Sequence, residues 1–205
     1  MKKLFSGFGK KAESNKPVVV VSGLPRSGTS MMMKMLAEGG LSVVTDQIRS
    51  ADDDNPEGYF ELEAVKQMSA GNVLWLADAG GKVVKVISAL LEHLPSQYSY
   101  KVIFMEREIK EVLASQKKML VNRQEDSSIS DAEMEEQFRK HAAAVKAWLV
   151  RQPNMEVQYI SYNVMVNEPS SLCKKVIEFL GLPLDYERML AVPNERLYRN
   201  RKAPL

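Results

Sequence analysis

An α/β fold with three layers, in which helices cover both faces of a mainly parallel central sheet, is predicted by three features of this 205-residue sequence. Val18–Val21 is a run of four β-branched residues, which is typical of a strand buried on both faces of a parallel sheet. Strand-like and helix-like segments then alternate along the chain. A turn containing Gly23 and Gly28 joins the first strand to the first helix. Such a doubly wound sheet places its site at the carboxyl ends of the strands.

The composition is that of an ordinary globular protein, with 45% hydrophobic and 26% charged residues. A net charge of +2 gives no indication of a nucleic-acid partner. The single cysteine, Cys173, excludes an internal disulfide, and we find neither a signal peptide nor an apolar stretch of transmembrane length. We therefore expect a cytoplasmic protein with a flexible basic leader (1–16), one domain (17–196) and a basic C-terminal tail (197–205).

The segment after the first strand, Gly23-Leu24-Pro25-Arg26-Ser27-Gly28-Thr29-Ser30, has the glycine spacing of a P-loop. Backbone N–H groups of such a loop and the positive end of the following helix dipole both favour an anion. Thr29 stands where a nucleotide-hydrolysing P-loop carries its lysine, and the nearest cation is Arg26. The sequence therefore predicts an anion-binding loop more strongly than a magnesium-dependent NTPase or a purely structural turn.

Hydrophobic periodicity and capping signals predict the remaining elements. The first helix ends at Gly39-Gly40, and a long helix opens with a capping box at Ser130 and Glu133. Strands are expected at 41–45, 82–87, 100–107 and 155–161. Helices are expected at 61–70, before Pro95, at 108–120, 130–151 and 169–180.

Two charged features each have two interpretations. Asp52, Asp53 and Asp54 indicate a solvated acidic turn more than a metal site, because no histidine or paired spacing accompanies them. Lys85 interrupts an apolar strand, and a buried lysine is costly unless an anion meets it. The alternative is an edge strand that leaves Lys85 in water.

The loop Pro25-Arg26-Ser27-Gly28-Thr29-Ser30 resembles the 5′-phosphosulfate loop of sulfotransferases that use 3′-phosphoadenosine 5′-phosphosulfate (PAPS). Its arginine form is similar to that of tyrosylprotein sulfotransferases and small bacterial members. Residues 55–61 resemble a bacterial sulfotransferase segment. Arg107 with Ser115 eight residues later resembles the 3′-phosphate site, although Glu108-Ile109 replaces the usual Asp-Pro or Asn-Pro. Tyr162 matches the tyrosine of a C-terminal Tyr-Glu pattern, in which Asn163 replaces the glutamate.

The resemblance implies transfer of a sulfuryl group from PAPS to an acceptor hydroxyl or amine, without a metal. It implies that Arg26 and Lys85 stabilise the transferring group, and that Asp46 or Glu61 is the general base. The nucleotide-binding residues it implies are Arg26, Ser27, Gly28, Thr29, Ser30, Arg107, Ser115, Tyr162, Arg199 and Arg201. A P-loop kinase or NTPase and a non-catalytic nucleotide-binding protein remain alternatives, and the acceptor and oligomeric state stay open.

Overall fold

The computed structural model of the chain describes residues 16–46, 48, 58–122, 124 and 129–193. The predictions for the basic leader, the acidic turn at 52–54 and the basic tail fall on residues outside these ranges. Within them, no helix has both the length and the apolar character needed to span a bilayer.

The sheet of the described domain has four strands that all run parallel, as predicted. They are β1 (Val18–Gly23), β2 (Val83–Lys85), β3 (Tyr100–Glu106) and β4 (Met155–Ser161). Their spatial order is β2-β1-β3-β4. After β1, the chain adds β2 on one side of it and then β3 and β4 on the other side. The topological switch point, where ligands of such sheets bind, therefore lies at the carboxyl end of β1.

Helices cover both faces of the sheet, which confirms the three-layer α/β/α architecture. The helices are α1 (Thr29–Glu38), α2 (Glu63–Lys66), α3 (Ile109–Asn122), α4 (Asp131–Leu149), α5 (Tyr162–Asn167), α6 (Pro169–Leu180) and α7 (Tyr186–Leu190). One face of the sheet carries α1, α5, α6 and α7, and the other carries α4 with several 3₁₀ turns. The 3₁₀ turns are Met68–Ala70, Leu74–Asp78 and Ser88–His93.

The four valines of β1 are buried and divide between the two cores of the domain. Val19 and Val21 pack with the methionines of α1, whereas Val18 and Val20 pack towards α4 and the 3₁₀ turns. Because successive side chains of a strand point to opposite faces, a continuous apolar run is what a strand between two helical layers requires. The expected double burial of β1 is confirmed.

Several predicted elements are shorter than the apolar pattern indicated. Residues 41–45 do not form a strand, and they make a single bridge from Val43 to Val83. Val44 N–H donates to the Val83 carbonyl at 2.8 Å, but the Thr45 hydroxyl then bonds Glu61 O at 2.8 Å, which takes the chain away from the sheet. The helix expected at 61–70 splits into α2 and a 3₁₀ turn because Gln67 leaves helical geometry. The strand expected at 82–87 is reduced to β2.

Candidate active site

The loop between β1 and α1 lies at the switch point and has the backbone geometry of an anion cradle. Gly28 adopts a φ of 97° immediately before α1, and no side chain caps the first turn of that helix. Arg26 has a φ of 65°, a left-handed conformation that is costly for a residue with a Cβ. A Cβ on Gly28 would lie 2.2 Å from Cδ2 of Tyr162. The start of α5 therefore packs directly on the loop, and only glycine fits at this position.

Lys85 lies at the carboxyl end of β2, and its side chain points to α1. Its Nζ donates to Tyr59 O at 2.8 Å and to Ser30 Oγ at 3.2 Å, and it lies 3.8 Å from Oε1 of Glu61. The side chain is only 9% exposed although β2 is an edge strand. The water-exposed alternative for Lys85 is therefore wrong. The structure places this ammonium against the first turn of α1, within reach of the loop.

Arg26 and Arg107 connect the loop to β3 and α3. Arg26 Nε donates to Ser115 Oγ at 2.9 Å, and Arg107 NH1 donates to the Arg26 carbonyl at 3.1 Å. The guanidinium carbon of Arg107 lies 4.4 Å from the centroid of the Tyr162 ring. The left-handed turn at Arg26 thus presents its carbonyl to Arg107. The residues predicted at the two ends of a nucleotide form one continuous network.

Glu111 is a member of this network that the sequence analysis missed. Its side chain is 5% exposed, and its Oε2 accepts from Arg107 Nε at 3.0 Å and from Asn163 Nδ2 at 3.1 Å. The Glu108 N–H donates to Oδ1 of the same asparagine at 3.4 Å. Arg107 lies before α3 begins, so the helical four-residue spacing rule does not apply to Arg107 and Glu111 and gave no signal for this contact.

The two candidate bases occupy different environments. Asp46 accepts the N–H of Glu63 at 2.5 Å through Oδ2 and the N–H of Ile48 at 3.1 Å through Oδ1. The Glu63 bond first, and then the Ile48 bond, lower the pKa of the Asp46 carboxyl. Asp46 therefore caps the start of α2. Glu61 instead directs Oε1 to Lys85 Nζ, and its own carbonyl accepts from Thr45 and Asp46.

The structure therefore brings together nearly all the described residues that the sequence singled out. Ser27 Oγ is buried and has no hydrogen-bond partner among the described residues. Thr29, at the position of the missing lysine, is also buried. In the same part of the chain, no three His, Cys, Asp or Glu side chains converge as a metal site would require. Arg199 and Arg201 lie outside the described ranges.

Comparison with known protein families identifies this combination of fold and loop. The family described as sulfotransferase domain matches residues 16–203. The chain belongs to the sulfotransferase domain family. This assignment confirms the expected family, and it places the chain among proteins of sulfuryl transfer rather than among kinases. A comparison of the sequence with curated proteins finds no match.

Solved sulfotransferases share the fold of this sulfotransferase-family chain at low sequence identity. The sulfotransferase domain of the Synechococcus PCC 7002 olefin synthase superimposes with a TM-score of 0.52 at 13% identity, covering 94% of this chain and 86% of that one. A mouse sulfotransferase complexed with PAP gives 0.54 at 14% identity, covering 92% and 67%. A sulfotransferase from Alicyclobacillus acidocaldarius gives 0.50 at 15% identity, covering 92% and 87%. At these identities the likeness concerns the fold.

Proposed function

We propose that this protein transfers a sulfuryl group from PAPS to an acceptor hydroxyl or amine. The observation that carries the proposal is the convergence of three cationic side chains from three segments at the carboxyl end of β1. Arg26 comes from the loop, Lys85 from β2 and Arg107 from the end of β3, and they surround a glycine turn at a helix N-terminus. Such a group of cations and N–H donors suits a donor with anionic groups at two positions.

The residues present fit a nucleotide that carries phosphate at both ends. The loop from Ser27 to Ser30 would hold the 5′ end, since the first turn of α1 lacks a side-chain cap and the buried Ser27 hydroxyl lacks a described partner. Unpaired donors at a helix N-terminus favour an anion there. Arg107 and Ser115 would hold the 3′-phosphate, with Tyr162 beneath the guanidinium. Arg199 and Arg201 remain candidates to cover it.

Lys85 is proposed to stabilise the transferring group. PAPS supplies an activated sulfuryl group whose transfer displaces a phosphate oxygen. Negative charge grows on the oxygens around the reacting centre, so a fixed ammonium in a largely buried position stabilises the transition state more than the ground state. Lys85 is held by Ser30 and Tyr59 and is anchored on a strand, which is the rigid support such a role needs.

Glu61 is the better placed of the two candidate bases. Its carboxylate contacts the ammonium of Lys85, whereas both Asp46 oxygens accept backbone N–H groups, one from Glu63 at the start of α2 and one from Ile48. A lowered pKa makes the Asp46 carboxylate a weaker proton acceptor. We therefore assign removal of the acceptor proton to Glu61 and helix capping to Asp46. The acceptor itself is not specified by these residues.

Thermal unfolding of the protein with adenosine 3′,5′-bisphosphate, without metal and with a chelator present, tests the proposal. A ligand at a hundred times its dissociation constant adds about 2.7 kcal/mol to the free energy of unfolding, which is a readable shift. We expect stabilisation by the bisphosphate and its loss in Arg107→Ala. Stabilisation only by ATP with magnesium would contradict the proposal and favour a kinase. Binding without sulfuryl transfer to any of a broad acceptor panel would favour a non-catalytic nucleotide-binding protein.

A further inference from the structure

The buried carboxylate of Glu111 has no role in the reaction as described so far. An acidic residue in the first turn of α3 complements the helix dipole, but that effect needs no burial. Glu111 is only 5% exposed, and burying a carboxylate costs several kcal/mol unless charged and hydrogen-bonded partners compensate. Arg107 and Asn163 are such partners. The arrangement therefore calls for a reason beyond helix stability.

We propose that Glu111 and Asn163 are positioning residues for Arg107, and that they fix its guanidinium for the 3′-phosphate before the nucleotide arrives. This inference rests on the proposed function. Glu111 accepts from Nε of Arg107, and the Arg26 carbonyl accepts from NH1. Two bonds in different directions, with the Tyr162 ring below, determine the plane of the guanidinium. A planar fork binds phosphate well only when its plane is correctly oriented.

Asn163 fixes the carboxylate in turn. Its Nδ2 donates to Glu111 Oε2 while its Oδ1 accepts the N–H of Glu108, so the two ends of the amide have distinct partners. Reversing the amide would place oxygen against oxygen and N–H against N–H. A carboxylate at this position would face Glu111 at hydrogen-bond distance and would be repelled. The asparagine that departs from the Tyr-Glu pattern is thus matched to the glutamate on α3.

The first two residues of α5, Tyr162 and Asn163, support both ends of the donor site. Tyr162 packs on Gly28 of the loop and beneath Arg107, and the adjacent Asn163 holds Glu111. The N-terminus of α5 is therefore the common support of the loop and of the arginine. Substitution of a residue that acts through Arg107 should reduce the contribution of the 3′-phosphate to nucleotide affinity. It should leave the binding of the rest of the nucleotide unchanged.

The test compares adenosine 3′,5′-bisphosphate with adenosine 5′-monophosphate by calorimetric titration of the full chain. The dissociation constant of the monophosphate divided by that of the bisphosphate measures how much the 3′-phosphate contributes to affinity. We expect this ratio to fall about tenfold in Glu111→Gln and in Asn163→Asp, because each change weakens a charged hydrogen bond that orients the guanidinium. Affinity for the monophosphate should stay within about twofold.

Two controls separate positioning from stability. Glu178→Gln makes the same charge change as Glu111→Gln at an exposed position of α6, and it should leave the ratio unaltered. In an Arg107→Gln background the Glu111 and Asn163 substitutions should have no further effect on the ratio. If Glu111→Gln does not fold, the same ratio is measured in the Asn163→Asp and Asn163→Ala variants.

Four results would overturn the inference. An equal loss of affinity for both nucleotides would show that the pair only supports the fold. A higher ratio in Glu111→Gln would show that the carboxylate competes with the phosphate for Arg107. A wild-type ratio near one would refute the proposed donor site together with this inference, whereas a large wild-type ratio that the variants leave unchanged would refute this inference alone.

Discussion

At the scale of single residues, the candidate site depends on side chains that elsewhere would be unfavourable. Lys85 is buried on a strand, Arg26 adopts a left-handed backbone, and Glu111 is a buried carboxylate. Each is costly alone and is compensated by its own neighbours. Glu61, Ser30 and the Tyr59 carbonyl contact Lys85. Arg107 contacts both the Arg26 carbonyl and Glu111. Residues that break ordinary preferences in this way gather at functional sites.

Replacement of Lys85 separates chemistry from binding. We expect Lys85→Met to lower turnover at least about a hundredfold, because a preorganised charge at the reacting group is lost. Affinity for adenosine 3′,5′-bisphosphate should change little in a direct titration. Lys101→Met is the matched control, since that lysine also lies on a strand but donates to Phe179 O and Leu180 O at the end of α6. Unaltered turnover in Lys85→Met would remove it from the mechanism.

Gly28 offers a test of the loop with a control in the same chain. Gly28 and Gly40 have φ values of 97° and 96°, but only at Gly28 would a Cβ meet a neighbour, the Tyr162 ring at 2.2 Å. Gly40→Ala should lower the free energy of unfolding by about 1–2 kcal/mol through backbone strain alone. Gly28→Ala should cost more and should abolish nucleotide binding, as measured by urea unfolding and titration. Equal effects of the two changes would contradict the close packing of Tyr162.

At the scale of elements, the signals that predicted helix ends were accurate where they involved local hydrogen bonds. The capping box of α4 is present, with Ser130 Oγ accepting from the N–H of Glu133 at 3.3 Å and the Ser130 N–H donating to Oε2 of Glu133 at 2.9 Å. Pro169 opens α6 and Gly181 follows its last residue, as expected. Each of these helix ends depends on interactions among three or four neighbouring residues, so it can be predicted from the local sequence.

The capping box predicts a pH-dependent contribution to stability. Removing the hydroxyl in Ser130→Ala should lower the free energy of unfolding by about 1 kcal/mol near neutral pH. The hydrogen bonds from Ser130 lower the pKa of Glu133 in the folded protein. A lowered pKa stabilises the fold above the ordinary pKa of the carboxyl, and this contribution is lost as the pH falls through the lowered value.

The difference between wild type and Ser130→Ala should accordingly shrink in acid, as urea unfolding at several pH values would measure. Glu136→Gln is a control on the same helix, because its exposed pair with Lys140 should matter by only a few tenths of a kcal/mol at any pH. The Ser130 N–H, which is the larger cause of the lowered pKa, is kept in the variant, so a Ser130→Ala cost that is independent of pH would show that the hydroxyl does not contribute to it.

At the scale of the whole molecule, the sheet order places the site. β1 is central and its neighbours β2 and β3 supply Lys85 and Arg107 from either side, although these residues are far apart in sequence. Parallel strands bring their carboxyl ends to one edge. The four-strand sheet, the loop and the supporting α5 therefore act as one unit, and binding at the edge should stabilise the entire domain.

Cys173 provides a reporter of this coupling. Its side chain lies in the core beside α1 and β1, and burial raises the pKa of the thiol to about 11. Labelling of the native protein by a disulfide reagent near pH 8 should be slow and limited by opening of the fold. Adenosine 3′,5′-bisphosphate at a hundred times its dissociation constant should slow it about a hundredfold. Rapid labelling unaffected by the nucleotide would instead indicate local opening of α6.

The sequence by itself determined the fold class and the motifs that make up the candidate site. The valine run and the glycine spacing predicted the fold class and an anion-binding loop, because both depend on short-range spacing, and the resemblance of the loop, Arg107 and Ser115 to known motifs indicated the sulfotransferase family. The ends of β2 and α2, the burial of Lys85, and the contacts of Asp46 and Glu61 were decided only by the tertiary structure. Glu111 and its match with Asn163 also emerged there, because contact between α3 and α5 is set by the packing of elements about fifty residues apart. Long-range contacts of this kind leave no periodic signal in one sequence.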